Sequence, residues 1–133
     1  MFEYHGWISV QERPHANDDD GSSARLGEIV EGIQARIREI DSPYLLDLRW
    51  MNGEPFLHLG GFPNHRDEDV VSLFAEVGER APGSYGVLHI RDDEDLGHEN
   101  EVVVIRMVRG TVTEYTEPFL SPCIPALEDP FQG

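Results

Sequence analysis

The sequence predicts an α+β fold: two helices packed on one face of a mostly antiparallel sheet, in the order β-α-β-β-α-β-β-β. Three observations carry this expectation. Apolar and polar residues alternate over residues 2–10 and again over 84–91, the period of a half-buried strand. Over residues 26–40 and 70–77 the apolar positions recur every three or four residues instead, which is the period of a helix with one buried stripe. Between the two helical segments stands Asn52-Gly53, flanked by alternating runs, and this dipeptide supplies the positive φ angles of a type I′ hairpin turn. Helices separated by hairpins suggest a split β-α-β arrangement, so a ferredoxin-like core is the expected form.

In the first strand, Phe2, Tyr4, Ile8 and Val10 face one way and Glu3, His5, Trp7 and Ser9 the other. The polar run "PHANDDDGSS" (residues 14–23) reads as a loop, with Ser22 or Ser23 capping the helix that follows. That helix carries Leu26, Ile29, Val30, Ile33, Ile37 and Ile40 on one stripe and stops before "DSP". Next comes "PYLLDLRWMNGEPFLHLGG" (residues 43–61). If Asn52-Gly53 is its turn, Leu48 faces Leu57 and Leu46 faces Leu59 on one side, while Arg49 faces Phe56 and Asp47 faces His58 on the other. The second helix runs from about residue 67 to 80, with Val70, Val71, Phe74 and Val77 inward and an acidic "DED" at its positive end. The strand "SYGVLHIR", the acidic stretch "RDDEDLGHENE" (residues 91–101), and the strands "EVVVIRMV" and "TVTEY" joined at Arg109-Gly110 complete the core. The chain reads as a single domain over residues 1–133. Residues 117–133, with four prolines, are expected to form an extended tail.

Composition narrows the function classes. Twenty-six acidic residues against ten basic ones, all arginine, give a net charge of −16. Such a charge repels phosphate backbones and anionic membrane surfaces, so direct nucleic-acid or membrane binding is not expected; it favours solubility or fast capture of a basic partner. No run approaches the roughly 18 apolar residues of a membrane span. The start, "MFEYHGWISV", lacks a basic region followed by a cleavage site, and Cys123 is the only cysteine; both point to a cytoplasmic protein without a disulfide.

The strand register makes a prediction about surfaces. If the helices cover the Phe2, Tyr4 and Ile8 side, the opposite sheet face carries His5, Trp7, Arg49, Phe56, His58, Tyr85, His89 and Arg91. Aromatic residues with arginine are common interface anchors, and a bare patch of this kind marks a partner. The competing expectation is that the tail folds back and covers it with Phe119, Leu120, Ile124 and Phe131.

Few motifs point to catalysis. His5, His58 and His89 fall on one sheet face, and a small metal-dependent hydrolase built on them is the alternative function; but they come from separate strands with no short-spacing motif, and isolated surface histidines are more common. Aligning the acidic stretch to a calcium loop puts Leu96 and Val103 at ligand positions, which excludes an EF-hand. Asp92, Asp93, Glu94 and Asp95 are expected to share one solvated loop, where nothing singles out an acid for general acid–base work. "GSYG" around Ser84 is one residue short of a nucleophile elbow, Cys123 sits in the proline-rich tail, and Gly60-Gly61 lacks the lysine of a phosphate loop. No cofactor and no metal are expected.

"FEYHGWISV" near the start, "GSYGVLHIRDDED" (residues 83–95) and "EPFLSPCIPALEDPF" (residues 117–131) together resemble the immunity protein 7 family of bacterial polymorphic toxin systems. The resemblance runs over nearly the whole chain, and Gly6-Trp7 matches the family's tryptophan. It implies an α+β fold and a non-catalytic role: binding and neutralising the toxin domain of the same or sister cells. Many such toxins are nucleases with basic clefts, which an acidic inhibitor suits. From charge and exposure, the partner-binding residues are expected to be Trp7, Arg49, Phe56, Asp92, Asp93, Glu94 and Asp95.

Overall fold

A computed structural model describes residues 1–13 and 22–125, with residues 22 and 23 described in their backbone only. Its eight elements follow the expected order: β1 (Phe2–Ser9), α1 (Ser22–Ile40), β2 (Leu45–Met51), β3 (Glu54–Gly61), α2 (Glu68–Arg80), β4 (Tyr85–Asp92), β5 (Val103–Val108) and β6 (Thr111–Thr116). The sheet order is β2-β3-β1-β4-β5-β6 and every neighbouring pair is antiparallel. It follows that β1 and β2 run parallel with β3 between them, and β3 and β4 run parallel with β1 between them. These are two interleaved split β-α-β units, the ferredoxin-like arrangement, extended beyond β4 by the β5–β6 hairpin.

Local chemistry sets the register. Asn52 and Gly53 take φ of 52° and 82°, and the hairpin they close pairs Leu48 with Leu57, Leu46 with Leu59, Arg49 with Phe56 and Asp47 with His58, as the turn requires. Arg109 and Gly110, at 50° and 72°, close the β5–β6 hairpin in the same way. Asp67 caps α2, its side chain accepting from the amides of Asp69 and Val70, and Glu68 and Asp69 place negative charge in the first turn. The expected cap of α1 at Ser22 or Ser23 lies outside the described side chains.

One layer of side chains between sheet and helices forms the core. Phe2, Tyr4, Ile8, Leu57, Leu59 and Leu88 rise from the sheet to meet Ile33 of α1 and Val70, Leu73, Phe74 and Val77 of α2. Each such side chain contributes about 1.5–3 kcal/mol relative to exposure. Along α1 only Val30 and Ile33 are deep; Leu26, Ile29, Ile37 and Ile40 pack on the margin. On the far side of the core, Gly78 of α2 lies against Gly110, and Met107 of β5 is buried close by. No helix among the described residues is long and apolar enough to cross a membrane.

After β6 the chain turns back along the acidic loop. The Glu117 amide donates to the Val102 carbonyl (2.7 Å), the Ser121 hydroxyl accepts from the Val102 amide (2.9 Å), and the Cys123 amide donates to the Asn100 carbonyl (2.9 Å). Asn100 clasps Ile124 through both its amide nitrogen and its carbonyl oxygen, each at 2.7 Å. Up to residue 125 the tail therefore does not cross the centre of the open sheet face: Phe119 is 93% exposed, and Leu120 and Ile124 also remain exposed. Tail coverage was the competing expectation for this face. Within the described residues it is confined to one end, and Phe131 lies outside them.

Candidate functional site

The sheet face turned away from the helices is built in rows fixed by the strand pairing. One row runs Arg49, Phe56, Ser9, Tyr85 across β2, β3, β1 and β4. The next runs Asp47, His58, Trp7, Val87, Arg106, Thr113 across all six strands. A third sets Leu45, Gly60, His5, His89, Val104 and Tyr115 side by side, and a fourth sets Glu3 opposite Arg91. Ser9 is small, so the larger rings on either side close over it. Trp7 and Tyr85 meet edge to face with ring centroids 5.8 Å apart, and they stay 39% and 46% exposed. Such a pair is worth about 0.5–1.5 kcal/mol beyond area burial, which holds the two rings as a rigid block at the surface. Phe56 is half-buried beside them. Arg49 is exposed and fixed by Asp47 (Nε to Oδ2, 2.6 Å), which pushes its guanidinium still higher.

The acidic stretch sits at the other end of the strands. Phe2 pairs with Asp92 at one end of β1–β4, and Ser9 pairs with Tyr85 at the other. Six residues of strand separate the level of Trp7 from Asp93, roughly 20 Å at the strand rise. The expectation of four carboxylates in one solvated loop needs correction at its first member. Asp92 is the last residue of β4, faces the helix side and is only 8% exposed. Its Oδ1 accepts from the Glu94 amide (3.1 Å), and its Oδ2 lies 3.6 Å from Nη1 of Arg66, whose guanidinium stands 5.5 Å over the Phe2 ring. The alternation of β4 simply continues one residue further than hydropathy suggests, placing a charged side chain inward where an arginine meets it.

Asp93 and Glu94 are exposed but engaged. The Met1 amine lies 2.8 Å from Asp93 and 3.5 Å from Glu94, and Nδ1 of His65 lies 2.7 Å from Glu94. The His65 bond holds the Glu94 carboxyl below its usual value, and Asp93 raises the Met1 amine. Successive backbone turns (Asp95 to Asp92, His98 to Asp95, Glu101 to His98) carry the loop onward. Glu101 holds His98 at 2.8 Å and raises its pKa. Asp95 borders a narrow cleft with Arg66, His98, Glu101 and Glu114.

The three histidines are not gathered into one set. His5 and His89 are direct cross-strand neighbours, but His58 stands in the adjoining row beside Trp7. His5 is held by Glu3 (3.0 Å), and His89 lies 3.9 Å from Glu117. Among the described residues no three His, Cys, Asp or Glu side chains are arranged to hold a metal ion. Ser84 is buried and ties β4 to residue 11: its hydroxyl accepts from the Gln11 amide (3.0 Å).

Two features of the face lie beyond the expected site residues. Arg106 and Tyr115 extend it across β5 and β6, a continuation legible in the alternation of those strands. Where the tail returns, an open pocket of about 300 Å³ forms between Glu3, His5, His89, Arg91, Val102, Leu120 and Cys123. Its outer wall depends on the path of the tail, for which the sequence carries no local signal.

A family model described as immunity protein 7 matches residues 1–129 of the chain. No curated protein and no solved structure matches it.

Proposed function

The chain belongs to the immunity protein 7 family, and from that premise we propose that it neutralises a cognate bacterial toxin domain by occupying its surface, without catalysis, cofactor or metal. The observation that carries the proposal is the open sheet face. Both helices cover the other side, the tail up to residue 125 leaves the centre free, and Trp7 packs on Tyr85 there beside Phe56 and the Asp47-paired Arg49. Rigid aromatic groups lose little freedom on binding and are frequent anchors of tight interfaces.

Charge supplies the second part. A net charge of −16 favours a basic toxin, such as a nuclease with a cleft shaped for phosphates, and speaks against direct contact with nucleic acid or membrane. In this reading Asp93, Glu94 and Asp95 speed the encounter, the Trp7 face makes the durable contact, and Asp92 acts within the fold. The encounter takes place in the cytoplasm, where a toxin made by the cell or delivered by a sister cell would act.

The test is co-expression with the toxin encoded beside the gene. The proposal expects a stoichiometric complex, loss of toxin activity on binding, and release on substitution of Trp7 by alanine. Toxin activity unaffected by an excess of the protein would overturn it.

A further inference from the structure

We infer that the pocket formed where the tail meets the open face receives the carboxylate of an acidic side chain of the toxin, with Arg91 as its anchor and His5 and His89 beside it. The inference rests on the toxin-binding reading for the source of the carboxylate alone; the pocket's preference for a carboxylate stands on its own geometry.

Arg91 is the starting point. In a chain where carboxylates outnumber guanidinium groups 26 to ten, five arginines with a described partner (Arg25, Arg36, Arg49, Arg66 and Arg80) each hold a carboxylate. Arg91 holds none, although Glu3 stands directly opposite it across β1 and β4, and it is half-buried where the other arginines without a carboxylate (Arg38, Arg106 and Arg109) are exposed. Glu3 is turned to His5 instead (3.0 Å), and the other nearby carboxylate, Glu117, lies 3.9 Å from His89. The Arg91 Nε is left buried with no hydrogen-bond partner. A buried unpaired guanidinium N–H is costly, and in native proteins such a group calls for an acceptor. The pocket that Arg91 itself lines is the side from which an acceptor can approach its guanidinium.

The walls select the kind of acceptor. Val102 and Leu120 give the recess apolar sides that suit the methylene stem of an aspartate or glutamate, and its volume of about 300 Å³ admits one side chain. A planar carboxylate matches the guanidinium fork, and the bond between them gains strength where water is thinned out. A phosphate dianion fits less well, because Glu3 and Glu117 flank the site and the whole molecule repels the second charge. The site is a local inversion of the protein's polarity: a positive recess on an acidic molecule, suited to rejecting basic proteins that lack an acidic residue at the matching place.

The experiment needs no toxin. The full-length protein, labelled with nitrogen-15, is titrated with N-acetylglutamate, with N-acetylglutamine as the uncharged control and inorganic phosphate as the dianion. Saturable shifts of the Arg91 Nε–H and of the His5 and His89 signals are expected with N-acetylglutamate only. Arg91→Gln should weaken the binding by roughly tenfold or more. Leu120→Trp, which narrows the mouth without touching Arg91, should do the same, and it serves as the second variant should Arg91→Gln fail to fold. Absence of a saturable shift, a response equal to that of the uncharged control, or tighter binding of phosphate would each overturn the inference. Because none of these outcomes involves the toxin, each is separable from failure of the protein to neutralise one.

Discussion

Gly78 in α2 and Gly110 in the β5–β6 turn meet backbone to backbone, and a Cβ on either would be driven into the other's carbonyl oxygen. This contact sets the height of α2 over the sheet and ties down the hairpin that carries Arg106 and Tyr115. Gly78→Ala should therefore destabilise the protein by about 1–3 kcal/mol through overpacking, reduced in part by the roughly 1 kcal/mol that alanine gains over glycine within a helix. Gly110→Ala should be worse, since its φ of +72° adds a left-handed backbone penalty of about 1–2 kcal/mol. Urea unfolding measures both; a Gly78→Ala protein as stable as the parent would mean that the helix can lift without cost.

Asp92 is the second point of leverage. Removing its carboxylate leaves the Glu94 amide without its acceptor at a nearly buried position and Arg66 with Glu68 alone. Asp92→Ala should cost about 1–3 kcal/mol, and Asp92→Asn, which keeps an acceptor for the amide, should cost less. Thermal unfolding of the pair distinguishes this from a purely electrostatic role, in which the two variants would be equally harmed.

The acidic loop should be best ordered in mildly acidic solution. Glu94 has its pKa lowered by His65, so its contribution is present above the ordinary value of 4.5 and is lost as pH falls through the lowered one. His98 is raised by Glu101 and the Met1 amine by Asp93, so their contributions are present below 6.5 and 8.0 respectively and are lost as pH rises through the raised values. All three act together between 4.5 and 6.5. Amide exchange of Asp95, His98 and Glu101, corrected for intrinsic rates, should show greatest protection there. Protection that is flat across neutral pH would detach these contacts from the loop's order.

Toxin binding should divide between the two ends of the sheet. Glu94→Lys combined with Asp95→Lys should slow association and flatten its salt dependence, leaving dissociation nearly unchanged. Trp7→Ala should instead speed dissociation, by roughly thirtyfold if the residue is an anchor worth about 2 kcal/mol. Stopped-flow kinetics at several salt concentrations separates the two effects; a loss confined to the same rate constant in both variants would put the loop and the tryptophan in one patch.

Most of the fold was legible because local signals agreed with one another. Asn52-Gly53 dictated a register, and that register put Leu48 on Leu57 and Leu46 on Leu59 toward the helices, with Asp47 and Arg49 on the open face. The aromatic part of the candidate site followed from the same alternation, since Trp7 must point away from Tyr4 and Ile8. What escaped the reading depends on partners distant in sequence. Asp92 looks like the first residue of a charged loop until Arg66, 26 positions earlier, is brought beneath it. The pocket at Arg91 exists because the tail is bonded to Asn100 and Val102, contacts that neither segment announces by itself.

The β1 strand occupies the middle of the sheet, flanked by residues 54–61 on one edge and 85–92 on the other. Its apolar side chains complete their surroundings only when segments as distant as residues 85–92 have joined it. Assembly is thus governed by contacts between distant parts of the chain. A chain interrupted between these strands has no completed face to present.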